Sequence, residues 1–298
     1  MGNKVFTQFK KAEQDADPWY SFSHGGITPR IRRVFFLKHK YLVFNLYRLG
    51  LKKEALAKLF FGRRVFLPLW DPNALKIYFM GTLGAPRERN LTAFLAKNLK
   101  SNDIFYDVGA NFGFYTFLGE HIITDGEVHS FEPNSRVFEY LRRNTADSEV
   151  FINMRALSNQ VGTTTFFDSV EDSSSSGLFR QSARPADDYS KTKVEVTTLD
   201  EYVKTHNPPT IIKIDVEGVE YKVLNGGRSV IEKYKPTIII EVWGGERGQK
   251  HHASAVKLLR DFGYQSFRIK EGGLLSLVET VDFNNIKRYE NFIFKHKR

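Results

Sequence analysis

From Ile104 onward, short apolar runs alternate with longer stretches whose apolar residues recur at helical spacing. The runs predict strands at 104–108, 127–131, 151–157, 193–197, 210–216, 237–242, 264–269 and 291–295. Between them lie predicted helices from Gly113 to about Ile123, then at 135–144, 198–205, 218–234 and 251–262, the last after a glycine-rich loop at 244–248. A hairpin is expected around 163–168, followed by a polar loop, Ser173-Ser174-Ser175-Ser176, that reads as surface linker by default. Alternating strand and helix argues for an α/β fold, a mostly parallel sheet with helices on both faces. Upstream, Leu42, Leu46, Leu49, Leu56, Leu59 and Phe60 recur among Lys and Arg, predicting one or two amphipathic helices over 31–61 that end near Gly62. A short β segment around 65–69 and 75–80, then a helix at 88–99, lead into the main domain. Residues 1–30 read as a weakly helical lead, broken by Gly25-Gly26 and Pro29. The chain therefore divides into a basic helical extension with a short β segment, 1–84, and a main domain, 85–298.

Composition narrows this picture. A chain of 298 residues, 41% hydrophobic and 26% charged, suits a globular protein with one large α/β domain and extra elements. No apolar run reaches the roughly 18 residues of a membrane span. Lys10, Lys11, Glu13, Asp15 and Asp17 break any secretory leader, and Phe6 stands where myristoylation wants Ser or Thr. The absence of cysteine removes disulfides and thiolate chemistry and fits a cytoplasmic protein. Charge is uneven: residues 1–100 carry 19 Lys/Arg against 6 Asp/Glu, so +13 lies there and −3 on the remainder. The basic stretch at 31–61 reads either as solvated helix surface or as contact with an anionic partner, such as a membrane surface, to which the protein would be peripheral. The apolar faces of the same helices suit a homodimer.

The chemistry concentrates at strand ends. In Asp107-Val108-Gly109-Ala110-Asn111-Phe112-Gly113 an apolar strand ends in an acid and turns through two glycines into a helix. The glycines let backbone approach a ligand at the carboxyl end of the first strand, where doubly wound sheets bind. A pyrophosphate-binding turn would carry G-x-G-x-x-G; here the middle glycine is missing and Asp107 would repel a phosphate. An acid there instead suits the sulfonium and ammonium groups of S-adenosylmethionine. Phe131-Glu132-Pro133 puts a second carboxylate at the next strand end, able to accept both hydroxyls of a ribose, with Asn134 or Ser135 capping the following helix. Asp215, Glu217 and Glu241 end two further apolar strands, and buried carboxylates are costly without a role. Glu220 reads as a helix-face charge. Asn207-Pro208-Pro209-Thr210 precedes its strand and is a loop, not a nitrogen-positioning signature.

Together, Asp-Val-Gly-Ala-Asn-x-Gly-x-Tyr-Thr (107–116), Phe-Glu-Pro-Asn (131–134), Asn-x-x-Ala-Leu-Ser (153–158), Thr-x-Leu-Asp (197–200) and Ile-Lys-Ile-Asp-Val-Glu-Gly-x-Glu (212–220) resemble the FkbM-type methyltransferases over about residues 85–243. The resemblance implies a Rossmann-like class I methyltransferase fold with a seven-stranded sheet, S-adenosylmethionine as cofactor, and methylation of a hydroxyl on a sugar, glycan or related small molecule. It implies cofactor contacts from Asp107, Gly109, Ala110, Asn111, Gly113, Tyr115, Thr116, Glu132, Pro133, Asn134, Ala156, Leu157 and Asp215.

A hydroxyl needs a base, an acidifying metal or positioning alone. Glu217, Glu241, His251 or His252 are candidate bases, and Asp215 with Glu241 a candidate Mg²⁺ site, since some sugar and catechol O-methyltransferases of this fold place acids there around a metal. Two other functions stay in view. One is an RNA methyltransferase gripping phosphates with its basic region, disfavoured because no RNA-binding module is recognisable. The other is a scaffold that kept the fold and lost turnover.

Overall fold

The computed structural model describes residues 4–12, 38–169, 172–178 and 189–297. The expected breaks at Gly25-Gly26 and Pro29, and the first part of the 31–61 helix, lie outside them.

The first described element is helix α1 (4–12), anchored by buried Val5 and Phe9. Helix α2 (Lys38–Arg48) leans on Phe79 through Tyr41 and Phe44 and leaves Leu42 exposed. It ends earlier than expected, because Glu54–Lys58 (β1) and Arg64–Pro68 (β2) form an antiparallel hairpin. Gly62 makes the turn, and Ala55, Ala57 and Leu59 point inward while Leu56 points out, the strict alternation of a strand. The expected strand at 75–80 is helix α3 (Pro72–Met80): Asp71 caps it through the N–H groups of Asn73 and Ala74, and Pro72 opens it. Helix α4 (Pro86–Asn98) follows.

Next come β3 (Ile104–Val108), α5 (Phe114–Ile122), β4 (Glu127–Phe131), α6 (Ser135–Asn144), β5 (Phe151–Asn153) and β6 (Ala156–Leu157). β7 (Gly162–Ser169) pairs antiparallel with β8 (Tyr189–Thr197), and β6 joins them in a small second sheet. The expected hairpin therefore spans a long excursion rather than a tight turn. Then follow α7 (Leu199–Tyr202), β9 (Ile211–Ile214), α8 (Glu220–Asn225), α9 (Arg228–Tyr234) and β10 (Thr237–Trp243). Gly226-Gly227 breaks the helix expected over 218–234, and a Cβ on Gly226 would sit 2.0 Å from the Ser158 carbonyl oxygen. The chain ends in α10 (Gly245–Asp261), β11 (Tyr264–Ile269), β12 (Leu275–Val278) and β13 (Tyr289–His296). The glycines expected to form a loop at 244–248 largely belong to the first turn of α10.

The main sheet has eight strands, in the order β12-β11-β13-β10-β9-β3-β4-β5, one more than expected. β3, β4, β5, β9 and β10 run parallel, and β13 lies antiparallel between β10 and β11. The extra strand, β12, is short and only half-buried, so it carries little apolar signal. Apolar residues on both faces of the parallel strands divide the core in two. Phe105, Ile239 and Ile293 face α4, α5 and the β1–β2 hairpin; Tyr106, Ile212, Ile238 and Ile240 face the helices after β9 and β10. Among the described residues no helix is long and apolar enough to cross a membrane.

Candidate functional site

A cavity of about 560 Å³ opens at the carboxyl ends of β3, β4, β9 and β10. The chain passes from β3 outward to β4 and β5, then returns to β9 on β3's other side, so the cavity lies at the point where strand order reverses.

One wall is the turn after β3. Gly109 and Gly113 have φ of 81° and 83°, and Asn111 between them has φ 52°. A Cβ on Gly109 would stand 1.9 Å from the carbonyl oxygen of Asp215, so only glycine lets the β3 and β9 loops touch. Asn is among the side chains that tolerate the left-handed region. The N–H groups of Gly109 and Ala110 donate to the Phe131 carbonyl, at 2.9 and 3.0 Å, tying this turn to the end of β4. Glu132 then closes the link: its carboxylate accepts the Asn111 N–H at 2.9 Å and the Asn134 N–H at 2.8 Å. Glu132 is buried, and burial pushes its carboxyl up to about 7 despite those two backbone donors. Asn134 caps α6 through its side-chain oxygen and donates to Asp168 at 2.7 Å. Pro133, Ala156, Leu157 and Phe166 supply apolar lining beside Glu132.

The serine stretch is part of the site rather than a linker. Ser173 donates its N–H to Asp71 at 2.8 Å, and its hydroxyl accepts from Asn111 at 3.0 Å. Residues 172–178 all line the cavity.

Behind the turn lies an ion-pair network. Asp107 is fully buried, accepts from the Thr116 hydroxyl at 2.8 Å and stands 3.5 Å from the Lys213 ammonium. Lys213 also reaches Asp215 at 3.3 Å. Burial opposes the Lys213 charge, but Asp215, Asp107 and Glu88 outweigh it and hold the ammonium above the usual lysine range. Lys213 lines the cavity, whereas Asp107, Gly113, Thr116 and Asn134 do not. Asp107 is therefore set back from the cavity, with Lys213 between it and the cavity wall.

The opposite wall is acidic. Asp215, Glu217 and Glu241 bring one carboxylate oxygen each within 4.8 Å of one another. Burial first, then Asp215, raise the proton affinity of both Glu217 and Glu241 well above the ordinary carboxyl range. Glu217 has φ 57°, a strained conformation for a glutamate. The strain is braced from behind by Glu220, which accepts the N–H groups of Val216 and Gly218 at 3.3 and 3.2 Å. Glu220 is buried, not a helix-face charge, and lies 3.2 Å from Nδ1 of buried His252. The Trp243 indole N–H donates to Glu241 at 2.9 Å, and the Arg247 guanidinium stacks 3.4 Å from the ring centroid of Trp243. His251 packs against the edge of Trp243 with centroids 5.7 Å apart; neither His251 nor His252 lines the cavity.

The structure thus brings Gly109, Ala110, Asn111, Tyr115, Glu132, Pro133, Ala156, Leu157, Asp215, Glu217 and Glu241 to one cavity. Sequence reasoning missed Glu88, Arg247, Arg288 and Tyr289, which also line it, and Lys213. A lysine inside the apolar run Ile211–Ile214 was the available signal for Lys213; nothing in Pro86-Arg87-Glu88-Arg89 separates Glu88 from a surface charge.

The family model described as the methyltransferase FkbM domain matches residues 107–266. Hexuronic acid methyltransferase AglP of Haloferax volcanii is 26% identical over 162 residues, 53% of this chain and 63% of that protein. The match therefore spans less than two thirds of that relative's length. Methyltransferase sdnD of Sordaria araneosa is 25% identical over 177 residues, 49% of this chain and 68% of that protein. Among solved structures, methyltransferase FkbM from Methylobacillus flagellatus aligns at TM-score 0.45 and 15% identity, over 74% of this chain and 52% of that one.

Proposed function

The chain belongs to the FkbM methyltransferase domain family, and from that premise we propose that it transfers the methyl group of S-adenosylmethionine to a hydroxyl of a sugar or related small molecule, foremost an acidic sugar. The observation that carries this reading is the single cavity with a glycine turn and Glu132 on one side and three carboxylates on the other. Its volume of about 560 Å³ suits a nucleoside-sized ligand together with part of an acceptor. The residues present fit the cofactor. Glu132 is a fixed acceptor for ribose hydroxyls, Phe131, Ala156, Leu157 and Phe166 suit an adenine ring, and the acids suit a cationic ligand. Bound there, S-adenosylmethionine supplies an electrophilic methyl group.

The chain's own task is to orient the acceptor hydroxyl and take its proton. Glu217 and Glu241 are suited to that work, since their raised proton affinity makes them better bases than an ordinary carboxylate. Trp243 holds Glu241 in place, and Glu220 holds the turn carrying Glu217. The same three carboxylates offer oxygen ligands to a hard cation such as Mg²⁺, but Asp215 already has the Lys213 ammonium at 3.3 Å, which competes with a metal. Proton acceptance without a metal is therefore favoured. Treatment with EDTA should leave turnover within about twofold; a loss that Mg²⁺ restores would transfer the acidifying role to the metal.

An acidic acceptor is supported by Arg247 and Arg288, two guanidinium groups lining the cavity that carries the acids. Burial disfavours the Arg247 charge, Glu217 and Glu241 support it more than Arg288 opposes it, and an anionic substrate group would add to that support. The hexuronic acid named for AglP of Haloferax volcanii points the same way. Radiolabelled methyl transfer to uronic acids and to matched neutral sugars tests the proposal. Uronic acids should be preferred, and Arg288→Ala should raise their KM about tenfold while leaving cofactor affinity unchanged. Equal rates on both sugar classes would remove the acidic acceptor, and no transfer to any hydroxyl would remove O-methylation.

A further inference from the structure

Glu88 lines the cavity, yet neither the ribose contact nor the proton transfer uses it. It comes from the first turn of α4, before the family match begins. Its carboxylate is fixed by two donors: the Tyr115 hydroxyl at 2.7 Å and the Asn291 side-chain amide at 3.1 Å. Tyr115 opens α5 directly after the glycine turn, and Asn291 on β13 faces Glu241 on β10. Glu88 is thereby held between the turn that binds the cofactor and the acids that meet the acceptor, outside the trio of Asp215, Glu217 and Glu241.

The charge around Glu88 is unbalanced. Burial, then the neighbouring Asp215, raise its proton affinity, against smaller opposing effects from Tyr115, Lys213 and Asn291. Both hydrogen-bond donors are neutral, and Lys213 is already shared between Asp107 and Asp215. A half-buried carboxylate so placed favours a cation from the ligand. Asp107, the acid of the turn itself, cannot supply that contact, because it is buried under Thr116 and Lys213 and does not line the cavity.

We propose that Glu88 binds the α-ammonium of the cofactor's methionine portion, and so is a cofactor-binding residue contributed by the segment upstream of the matched domain. This rests on the S-adenosylmethionine reading given above. The Tyr115 and Asn291 donors then act as positioning residues that aim the Glu88 carboxylate.

Calorimetry on the full chain tests it with S-adenosylhomocysteine and its des-amino analogue, which lacks only the ammonium. Wild type should bind S-adenosylhomocysteine about ten- to a hundredfold more tightly than the analogue, the range of a charge-assisted hydrogen bond. Glu88→Gln, which keeps the shape of the side chain, should lose most of that preference while binding the analogue as wild type does. A wild type that does not distinguish the ligands overturns the assignment, whatever the variant's stability. An intact preference in Glu88→Gln overturns it as well, because another group must then hold the ammonium. Failure of wild type to bind either ligand would instead remove the cofactor reading, and this assignment with it.

Discussion

Glu132 sits where burial favours its neutral form and its expected ligand favours the charged one. Its carboxyl is pushed up to about 7, against an ordinary value near 4.5. Between those values the folded protein holds a proton that the unfolded chain has released. Stability therefore falls as pH rises through that window, the opposite of a salt-bridged acid. A carboxylate accepting two ribose hydroxyls must be ionised, so cofactor binding should release a proton below about pH 7. Affinity should then rise by up to about tenfold per pH unit toward pH 7 and flatten above it, whereas Glu132→Gln should bind weakly at every pH. Calorimetry in buffers of different ionisation enthalpy measures the released proton directly. At Glu241 the expected effect lies in the chemical step. Glu241→Gln should lower kcat about 10²–10⁴-fold with cofactor affinity nearly unchanged. An equal effect of that substitution on cofactor binding would place Glu241 at the cofactor instead of the acceptor. Glu132, Asp215 and Glu241 were legible in the sequence because an acid ending an apolar run is conspicuous. Glu88 was not, since its neighbours Arg87 and Arg89 make it look like an exposed helix charge.

Elements position these side chains through close backbone approach and buried braces. Gly109→Ala would push a Cβ to 1.9 Å from the Asp215 carbonyl at a φ of 81°, so β3 and β9 must separate. A loss of about 1–3 kcal/mol is expected, together with weaker cofactor binding, read by thermal unfolding and titration. Glu220→Ala would leave the backbone N–H groups of Val216 and Gly218 without their buried acceptor and remove the carboxylate 3.2 Å from His252. It should destabilise by about 1–3 kcal/mol and lower kcat by loosening the turn that carries Glu217. The central strands were readable because both faces are buried, giving apolar runs closed by Gly, Pro or an acid. β2 was readable as the β segment at 65–69, but β1 was not, because its inward residues are the small Ala55 and Ala57, while Leu56, which fitted a helical count, points outward. α3 is fixed as a helix by its Asp71-Pro72 start rather than by the apolar run 75–80, which alone fits a strand as well.

At the scale of the whole molecule, the segment before the matched family domain is structurally continuous with it. Leu59, Val65 and Leu67 of the hairpin share a core with Leu91, Phe105 and Phe117. Asn144 at the end of α6 bonds both backbone groups of Phe66 at 2.7 and 2.9 Å, and Arg63 pairs with Glu120. A chain starting at residue 85 would expose that core and should be recovered aggregated or unfolded by circular dichroism. At the cavity, Asp215, Glu217 and Glu241 gather on one wall, with Lys213, Arg247 and Arg288 placed among them. The central claim is that this cavity binds S-adenosylmethionine through Glu132, and calorimetric titration of ligand-free wild type and Glu132→Ala tests it most directly. The account predicts roughly micromolar binding to wild type, weakened about tenfold or more in the variant. Absence of binding to wild type, or equal binding to both proteins, would contradict it.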